Sequence, residues 1–347
     1  MKKNSMKESN LKIGIAGYGY VGKKRRKILD NISGVKIVAI SDKNPKYKIS
    51  SKEIKFFKNY KNLLNENLDV IFVSLPNKYA AEITRLAIKK NIHVFCEKPP
   101  ARNIKELKKV LNEFQKKKNK IKLKYGFNHR YHDSIILAKK IIDSKKYGKI
   151  INLKGLYGKG KMVSFKGQWT GGWRAKKSMA GGGILLDQGI HLLDILRYFC
   201  GGFTEIKSFI SNNYWNYQVE DNAYVLLRTN KKIVAMLHST ATQWQHQFRI
   251  EITLEKALIS LTGILSGSMS YGQEKIEIQP KLLKNKKRII IKFNRDLSWK
   301  RETNEYINCI KSNTKIYNGT IYDAIKVMQM IDSIYKSDMV WRKKFFN

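Results

Sequence analysis

Two periods alternate along the first third of the chain. Short runs such as LKIGIAG, VKIVAIS and VIFVSL are apolar almost without break, and between them apolar positions recur at helical spacing. The pattern predicts strands near 11–17, 35–41, 70–75, 92–97 and 121–127, and helices near 20–31, 60–66, 79–90 and 103–118. Strands apolar on both faces, alternating with helices through short connections, imply a parallel, doubly wound sheet. Beyond Asn128 the texture changes. A helix near 134–145 and an apolar helix over 181–199 precede the β-rich runs EIKSFIS, NAYVLLRT, KIVAMLHST, FRIEITL, ALISLTG and KIEIQ, whose close succession predicts a largely antiparallel sheet. The basic strand KKRIIIKF then leads into helices near 297–311 and 320–336. The expected fold class is therefore α/β, with a doubly wound domain over 1–128 and a C-terminal α/β domain on an open, mostly antiparallel sheet over 129–347. The terminal helices are placed to pack back on the first domain, and no Pro-rich linker or internal repeat interrupts the chain.

The apolar helix GGGILLDQGIHLLDILRYF raises a question, because Asp187, His191 and Asp194 interrupt it. At about 100° per residue these three fall within roughly 60° of one another, so they form one narrow polar stripe. Two readings stand: a solvent face, with Asp187 also favoured by the helix dipole, or the wall of a polar cavity.

Composition narrows the class. A chain of 347 residues, 42% of them hydrophobic, has material for two ordinary domains, each with its own core. No apolar run approaches the eighteen or so residues of a membrane span, and LKIGIAGYGYVG does not read as a signal peptide. Cys96, Cys200 and Cys309 lack metal-ligand spacing and read as reduced core thiols, so no metal is expected and the cytoplasm is the expected compartment. The net charge of +42 raises the question of a polyanionic partner. Its lysines are spread over the whole chain without a nucleic-acid-binding motif, which argues against a specific nucleic acid and for solvated basic faces. The excess is also suited to a phosphorylated substrate.

In IGIAGYGYVGKKRRKIL, Gly17, Gly19 and Gly22 stand between the first strand and the first helix at the spacing of a dinucleotide fingerprint, with Tyr20 and Val21 inside it. Gly17 permits the tight turn, Gly19 lets backbone amides approach a pyrophosphate, and Gly22 allows close packing of helix on strand. The second strand ends at Asp42, twenty residues past Gly22, where an acid accepts the adenosine ribose hydroxyls. These features predict a Rossmann domain and favour NAD. Lys43, with Lys23, Lys24, Arg25 and Arg26, offers cations to a 2′-phosphate, so NADP is not excluded.

The fourth predicted strand runs into CEKPP, placing Glu97, Lys98 and Pro99 at the carboxyl end of the parallel sheet. Together with the glycine fingerprint and GGGILLDQGIHLLD, this motif resembles the glucose-fructose oxidoreductase, inositol dehydrogenase and rhizopine-catabolism family, Gfo/Idh/MocA, over nearly the whole chain. The resemblance implies that Lys98, Asp187 and His191 form the reacting group and that the polar stripe lines a substrate cleft. Oxidising a sugar alcohol needs one residue to take the hydroxyl proton as hydride leaves carbon. His191 is the first choice for that base, with Asp187 orienting it or binding a hydroxyl and Lys98 stabilising alkoxide charge; Lys98 as the base is the competing assignment. Asp194 reads as structural. Ser74, Pro76, Asn77 and Glu97 are expected beside the cofactor, and the Lys98–Pro99 peptide is expected to be cis. One departure is Ala80, where many relatives carry a histidine. The segment YGFNHRYH resembles the family's domain-crossing stretch, which brings Asn128 and Arg130 toward ligand and leaves His129 and His132 as packing or surface residues. Similar proteins associate through the sheet of the second domain, so a homodimer or homotetramer is expected.

Upstream of the polar helix, Trp169, Trp173 and Arg174 lie on a glycine-rich stretch. Aromatic faces and a guanidinium suit a carbohydrate with an anionic group, and packing at the domain seam is the alternative for the two tryptophans. Trp244 and His246, and Glu220 with Asp221, read as structural. The second half resembles members from surface-polysaccharide biosynthesis, so the expected enzyme is an NAD(P)-dependent dehydrogenase or reductase acting on CH–OH groups of a sugar or nucleotide sugar. A polyol dehydrogenase, an NAD-dependent glycoside-cleaving enzyme and a non-catalytic NAD sensor are the alternatives.

Overall fold

In the computed structural model the described residues are 10–44, 53–117, 120–160, 172–266, 269–281 and 287–346. The chain forms two compact units, the first made of 1–101, 105–126 and 299–321, the second of 102–104, 127–298 and 322–347.

The first unit is a six-stranded parallel sheet: β1 (Leu11–Ala16), β2 (Val35–Ser41), β3 (Lys55–Phe57), β4 (Val70–Val73), β5 (His93–Glu97) and β6 (Leu123–Gly126), in the order β3-β2-β1-β4-β5-β6. Its helices are α1 (Tyr20–Leu29), α2 (Tyr60–Leu63), α3 (Asn77–Lys89) and α4 (Ile104–Gln115). The strand order reverses between the adjacent β1 and β4, where the chains leaving their carboxyl ends diverge and ligands bind in such sheets. Every residue of β4 and the last four of β1 are buried, as the unbroken apolar runs require. A further helix, Ser298–Lys311, completes the core: its Tyr306 meets Phe72 and Phe95 edge-on, while those two rings stack at 5.0 Å. The short edge strand β3 was absent from the pattern, because three residues carry too little periodicity to register.

The second unit is built on an eight-stranded sheet: β7 (Ile150–Gly158), β8 (Phe203–Ser211), β9 (Asn222–Thr229), β10 (Val234–Thr240), β11 (Gln247–Leu254), β12 (Ala257–Thr262), β13 (Glu274–Pro280) and β14 (Ile289–Phe293). Neighbours are antiparallel except β7 and β10, which run parallel. The sequence pattern did not single out β7, although it is a central strand. Its helices are α5 (Asp133–Asp143), α6 (Lys177–Ala180), α7 (Ile190–Cys200), α9 (Ile321–Ser337) and α10 (Met339–Phe346), α8 being the helix Ser298–Lys311. Helices α5 and α7 pack against one sheet face, so strands such as β9 and β11 alternate buried with exposed positions. The other face presents Phe209, Tyr224, Leu226 and Met236 to solvent.

Candidate active site

One candidate region is the carboxyl edge of the parallel sheet in the first unit. Gly17 adopts φ +90°, and a Cβ there would stand 2.4 Å from the Ser74 carbonyl oxygen. A Cβ on Gly22 would stand 2.0 Å from the Gly17 carbonyl oxygen, so the helix meets the turn only because both lack side chains. Around Gly19, by contrast, a Cβ would meet nothing within 4 Å, and the first turn of α1 has neither a side-chain cap nor an acidic residue. Its amides are thus directed at a space that suits an anion. Asp42 follows β2, its carboxylate accepting from the amides of Tyr18 at 2.7 Å and Asn44 at 2.9 Å. That places the acid beside the glycine turn, where the residues fit a dinucleotide. Tyr20 and Val21 open α1, Ser74 follows β4, Pro76 and Asn77 open α3, and Glu97 and Lys98 stand at the end of β5. The Lys98–Pro99 peptide is cis.

The cations around this turn have other partners. Lys43 lies over the Tyr79 ring, and Arg26 donates to the Tyr18 hydroxyl. Arg25 is a correction to the reading of KKRR as a patch facing a phosphate. It is 0% exposed and donates to Glu97 at 2.7 Å, to Glu302 at 2.6 Å and to Thr303 at 2.8 Å, stacked between Phe95 and Trp299. Glu97, expected to face the cofactor, is thereby tied to α1 and α8.

A second candidate region is built on the polar helix of the other unit. Its start is fixed by Glu220, buried, whose carboxylate accepts from the amides of Gly183 at 2.7 Å and Leu185 at 3.0 Å and from the Tyr335 hydroxyl at 2.8 Å. A Cβ on Gly183 would fall 2.0 Å from the Glu220 carbonyl oxygen, which explains a glycine there. Residues Leu185–Gly189 then form a π-helical turn that runs directly into α7. The extra residue of a π turn breaks the uniform 100° spacing. Asp187, His191 and Asp194 consequently meet three different neighbours, and His191 and Asp194 are buried, so the stripe is not a solvent face.

Asp187 lies 3.2 Å from Lys159 Nζ and 3.3 Å from Arg174 Nε, and the Arg174 guanidinium stacks on Trp173 at 4.3 Å. His191 stacks on His129, with ring centroids 3.7 Å apart. Asp194 accepts two hydrogen bonds from Arg130, at 2.7 and 2.5 Å, and Arg130 also pairs with Asp323 at 3.2 Å. Burial opposes the charge on Arg130, yet Asp194 and then Asp323 hold its guanidinium above the usual arginine range. Arg130, expected beside ligand, is thus held in a buried ion pair. The Asn128 side chain is likewise turned inward, to Ser298 at 3.1 Å. His132 is a packing residue, 2.8 Å from Glu274. Trp169 lies outside the described residues; Trp244 is exposed in a cluster with Tyr214 and Trp215.

Sequence reasoning missed Lys159, Tyr157 and Tyr271. Lys159 follows the unrecognised β7, and one lysine among so many carries no signal. Burial, with Tyr271 and Asp187 nearby, pushes the Tyr157 phenol well above its ordinary value. Among the described residues no group of three His, Cys, Asp or Glu side chains converges as metal ligands would.

Two family models match this chain in tandem. Residues 11–125 match the oxidoreductase family with an NAD-binding Rossmann fold, and residues 135–260 match the GFO/IDH/MocA C-terminal domain. The chain belongs to the Gfo/Idh/MocA family. Among the family's curated members, levoglucosan dehydrogenase of Pseudarthrobacter phenanthrenivorans is 32% identical over 145 residues, 42% of this chain and 36% of that protein. Inositol 2-dehydrogenase of Salmonella typhimurium is 31% identical over 155 residues, 42% of this chain and 45% of that protein. The matched stretch thus spans less than half of these relatives. Solved structures extend the likeness of fold to the whole chain. Aldose-aldose oxidoreductase from Caulobacter crescentus superposes with a TM-score of 0.76 at 20% identity, covering 94% of this chain and 97% of that one. A 3-ketoreductase from Actinomadura kijaniata, in complex with TDP-benzene and NADP, gives 0.80 at 16% identity, covering 95% and 98%.

Proposed function

We propose that this member of the family is an NAD-dependent oxidoreductase that moves hydride between the nicotinamide and a secondary alcohol or ketone of a sugar or nucleotide sugar. The observation that carries the reading is the pairing of Asp187 with two cations, Lys159 and Arg174, four residues before His191 on one buried helix. Such a cluster is arranged for proton transfer at a polar substrate, and a non-catalytic NAD sensor has no use for it.

The amides of the glycine turn would hold the pyrophosphate and Asp42 the adenosine ribose, with Ser74, Pro76, Asn77 and Lys98 alongside the rest of the dinucleotide. The Asp42 carboxylate disfavours a 2′-phosphate and so favours NAD over NADP. When bound, the nicotinamide supplies the hydride acceptor. His191 takes the hydroxyl proton, Lys98 stabilises negative charge on the oxygen, and Asp187 accepts a hydrogen bond from a neighbouring hydroxyl while Lys159 and Arg174 hold its carboxylate in place. Arg174 on Trp173 offers a stacked, charged surface to an anionic group of the sugar.

Calorimetric titration with NAD, NADH, NADP and NADPH at moderate salt, followed by NADH formation on a panel of sugars, polyols and nucleotide sugars, tests the reading. Tight NAD or NADH binding with turnover on a sugar, reduced roughly 10²–10⁴-fold by His191→Asn, is the expected result. Failure to bind any of the four nucleotides would sink it.

We also propose that the exposed sheet face bearing Phe209, Tyr224, Leu226 and Met236 pairs with a second copy, giving a dimer or a dimer of dimers. Light scattering should show Leu226→Lys shifted to monomer. The three cysteines are unpaired thiols, which suits a reducing compartment such as the cytoplasm. Among the described residues no helix is long and apolar enough to cross a membrane.

A further inference from the structure

The imidazoles of His129 and His191 lie face to face, with centroids 3.7 Å apart and planes 16° apart, and both are buried, at 6% and 4% exposure. His129 comes from the 3-10 turn Asn128–Tyr131, far in sequence from α7. We infer that His129 is a positioning residue: a neutral imidazole held flat against His191 that keeps that ring in place and stabilises it when it takes a proton. The inference rests on His191 as the proton acceptor of the proposed reaction.

A chain of directional hydrogen bonds sets the protonation of His129. The Ser298 hydroxyl donates to Asp296 at 2.6 Å, so its oxygen is left to accept from the Asn128 amide nitrogen at 3.1 Å. That orientation turns the Asn128 carbonyl oxygen toward His129 Nδ1 at 3.3 Å. A carbonyl only accepts, so Nδ1 carries the proton. With the proton of the neutral ring on Nδ1, the other nitrogen, Nε2, is left to accept from the Tyr157 hydroxyl at 3.1 Å. Both nitrogens of His129 are thus engaged with its ring neutral.

His191 is the ring of the stack that the proposed reaction charges. A neutral aromatic face beneath an imidazolium stabilises it, as aromatic faces stabilise other cations. Charged and titratable groups near the stack among the described residues include Asp187 and Asp194 on the helix of His191, Tyr157 and Lys159 from β7 and its end, Tyr271 beside Tyr157, Arg130 on Asp194, and His132 with Glu274. Of these, Asp194 is satisfied by Arg130 and His132 by Glu274. His132 meets His129 edge-on at 5.4 Å.

The test uses the full chain with its six histidines ring-labelled, following each by NMR as a function of pH and identifying His191 by the signal lost in His191→Asn. His129→Gln keeps a hydrogen-bonding side chain without a ring, and His129→Phe keeps a ring without hydrogen bonds. The midpoint of His191 should fall by about one pH unit in His129→Gln and stay near that of the unaltered protein in His129→Phe. The acid limb of the pH profile of kcat should move with it while KM for NAD stays unchanged. An unchanged midpoint in His129→Gln, or an equal fall in both variants, would overturn the inference. Calorimetric NAD binding checks that each variant is folded, and His129→Asn replaces His129→Gln if the latter is not. Absence of hydride transfer in the unaltered protein would count against the dehydrogenase reading alone, because the titration decides the stack without turnover.

Discussion

The ammonium of Lys159 is almost completely buried and stands 3.2 Å from the Asp187 carboxylate, on the opposite oxygen from Arg174. Two cations, one on each oxygen, fix the direction of the carboxylate, which one flexible arginine would do less well. Lys159→Met should leave NAD affinity unchanged and lower kcat/KM for the sugar by roughly ten- to a hundredfold, less than the loss of a donor on the reacting oxygen itself. Lys159→Arg should restore part of the activity. Steady-state kinetics beside calorimetry on both variants would expose a purely structural lysine, because both variants would then fall together in stability with no selective loss of kcat.

Asp194 and Arg130 make a different prediction. Their two-pronged pair is buried, and Asp323 links Arg130 to Arg197. Removing one partner strands the other charge in the core, so Asp194→Asn should cost about 3–5 kcal/mol of stability. Denaturant titration should show that loss, while sugar KM measured well below the melting transition stays within about twofold of the starting value. A large rise in KM would instead return Arg130 to the substrate.

These two aspartates show how far the site was legible. The glycine turn, Asp42, the Glu-Lys-Pro motif and the Asp187/His191 pair are local patterns, so each can be seen in the sequence by itself. The partners of those residues come from elsewhere: Lys159 from a central strand whose glycines blur its period, Arg130 from a turn, Glu302 from a helix late in the sequence. Arg25 is the sharpest instance. Within KKRR it is indistinguishable from its three basic neighbours, and only the packing of Phe95 and Trp299 on its two faces shows that it is an interior residue. The π turn at Leu185–Gly189 was equally hidden, because it depends on Glu220, which reads in sequence as an ordinary strand start.

Asp42 accepts the amides of Tyr18 and Asn44, so it shapes the turn that it also helps to charge. Asp42→Ala should weaken NAD binding by roughly ten- to a hundredfold, the worth of a charge-assisted hydrogen bond or two. NADP should weaken less, since the repulsion of its 2′-phosphate is relieved at the same time. Isothermal titration with both nucleotides reads the ratio. A parallel loss for the two would reduce Asp42 to a turn-forming residue without a part in cofactor choice.

Glu302 yields the clearest dependence on pH. It is fully buried with Arg25 between itself and Glu97, and its Oε1 accepts no hydrogen bond. Burial pushes its carboxyl up to about 7 from an ordinary 4.5, against the pull of Arg25 and Lys124. A carboxyl raised in the folded state favours folding below its unfolded value, and that contribution disappears as pH rises through the folded value. Between pH 4.5 and 7 the Arg25 cluster should therefore lose stability as it passes from one carboxylate to two around a single guanidinium. Glu302→Gln removes the titrating proton while leaving an oxygen to accept from Arg25. Melting temperatures of the two proteins, measured from pH 5 to pH 8, should diverge in favour of Glu302→Gln as pH rises, by about 1–3 kcal/mol at the upper end. Parallel curves across that range would mean that Glu302 is already ionised at the lower end and that Arg25 holds both carboxylates throughout.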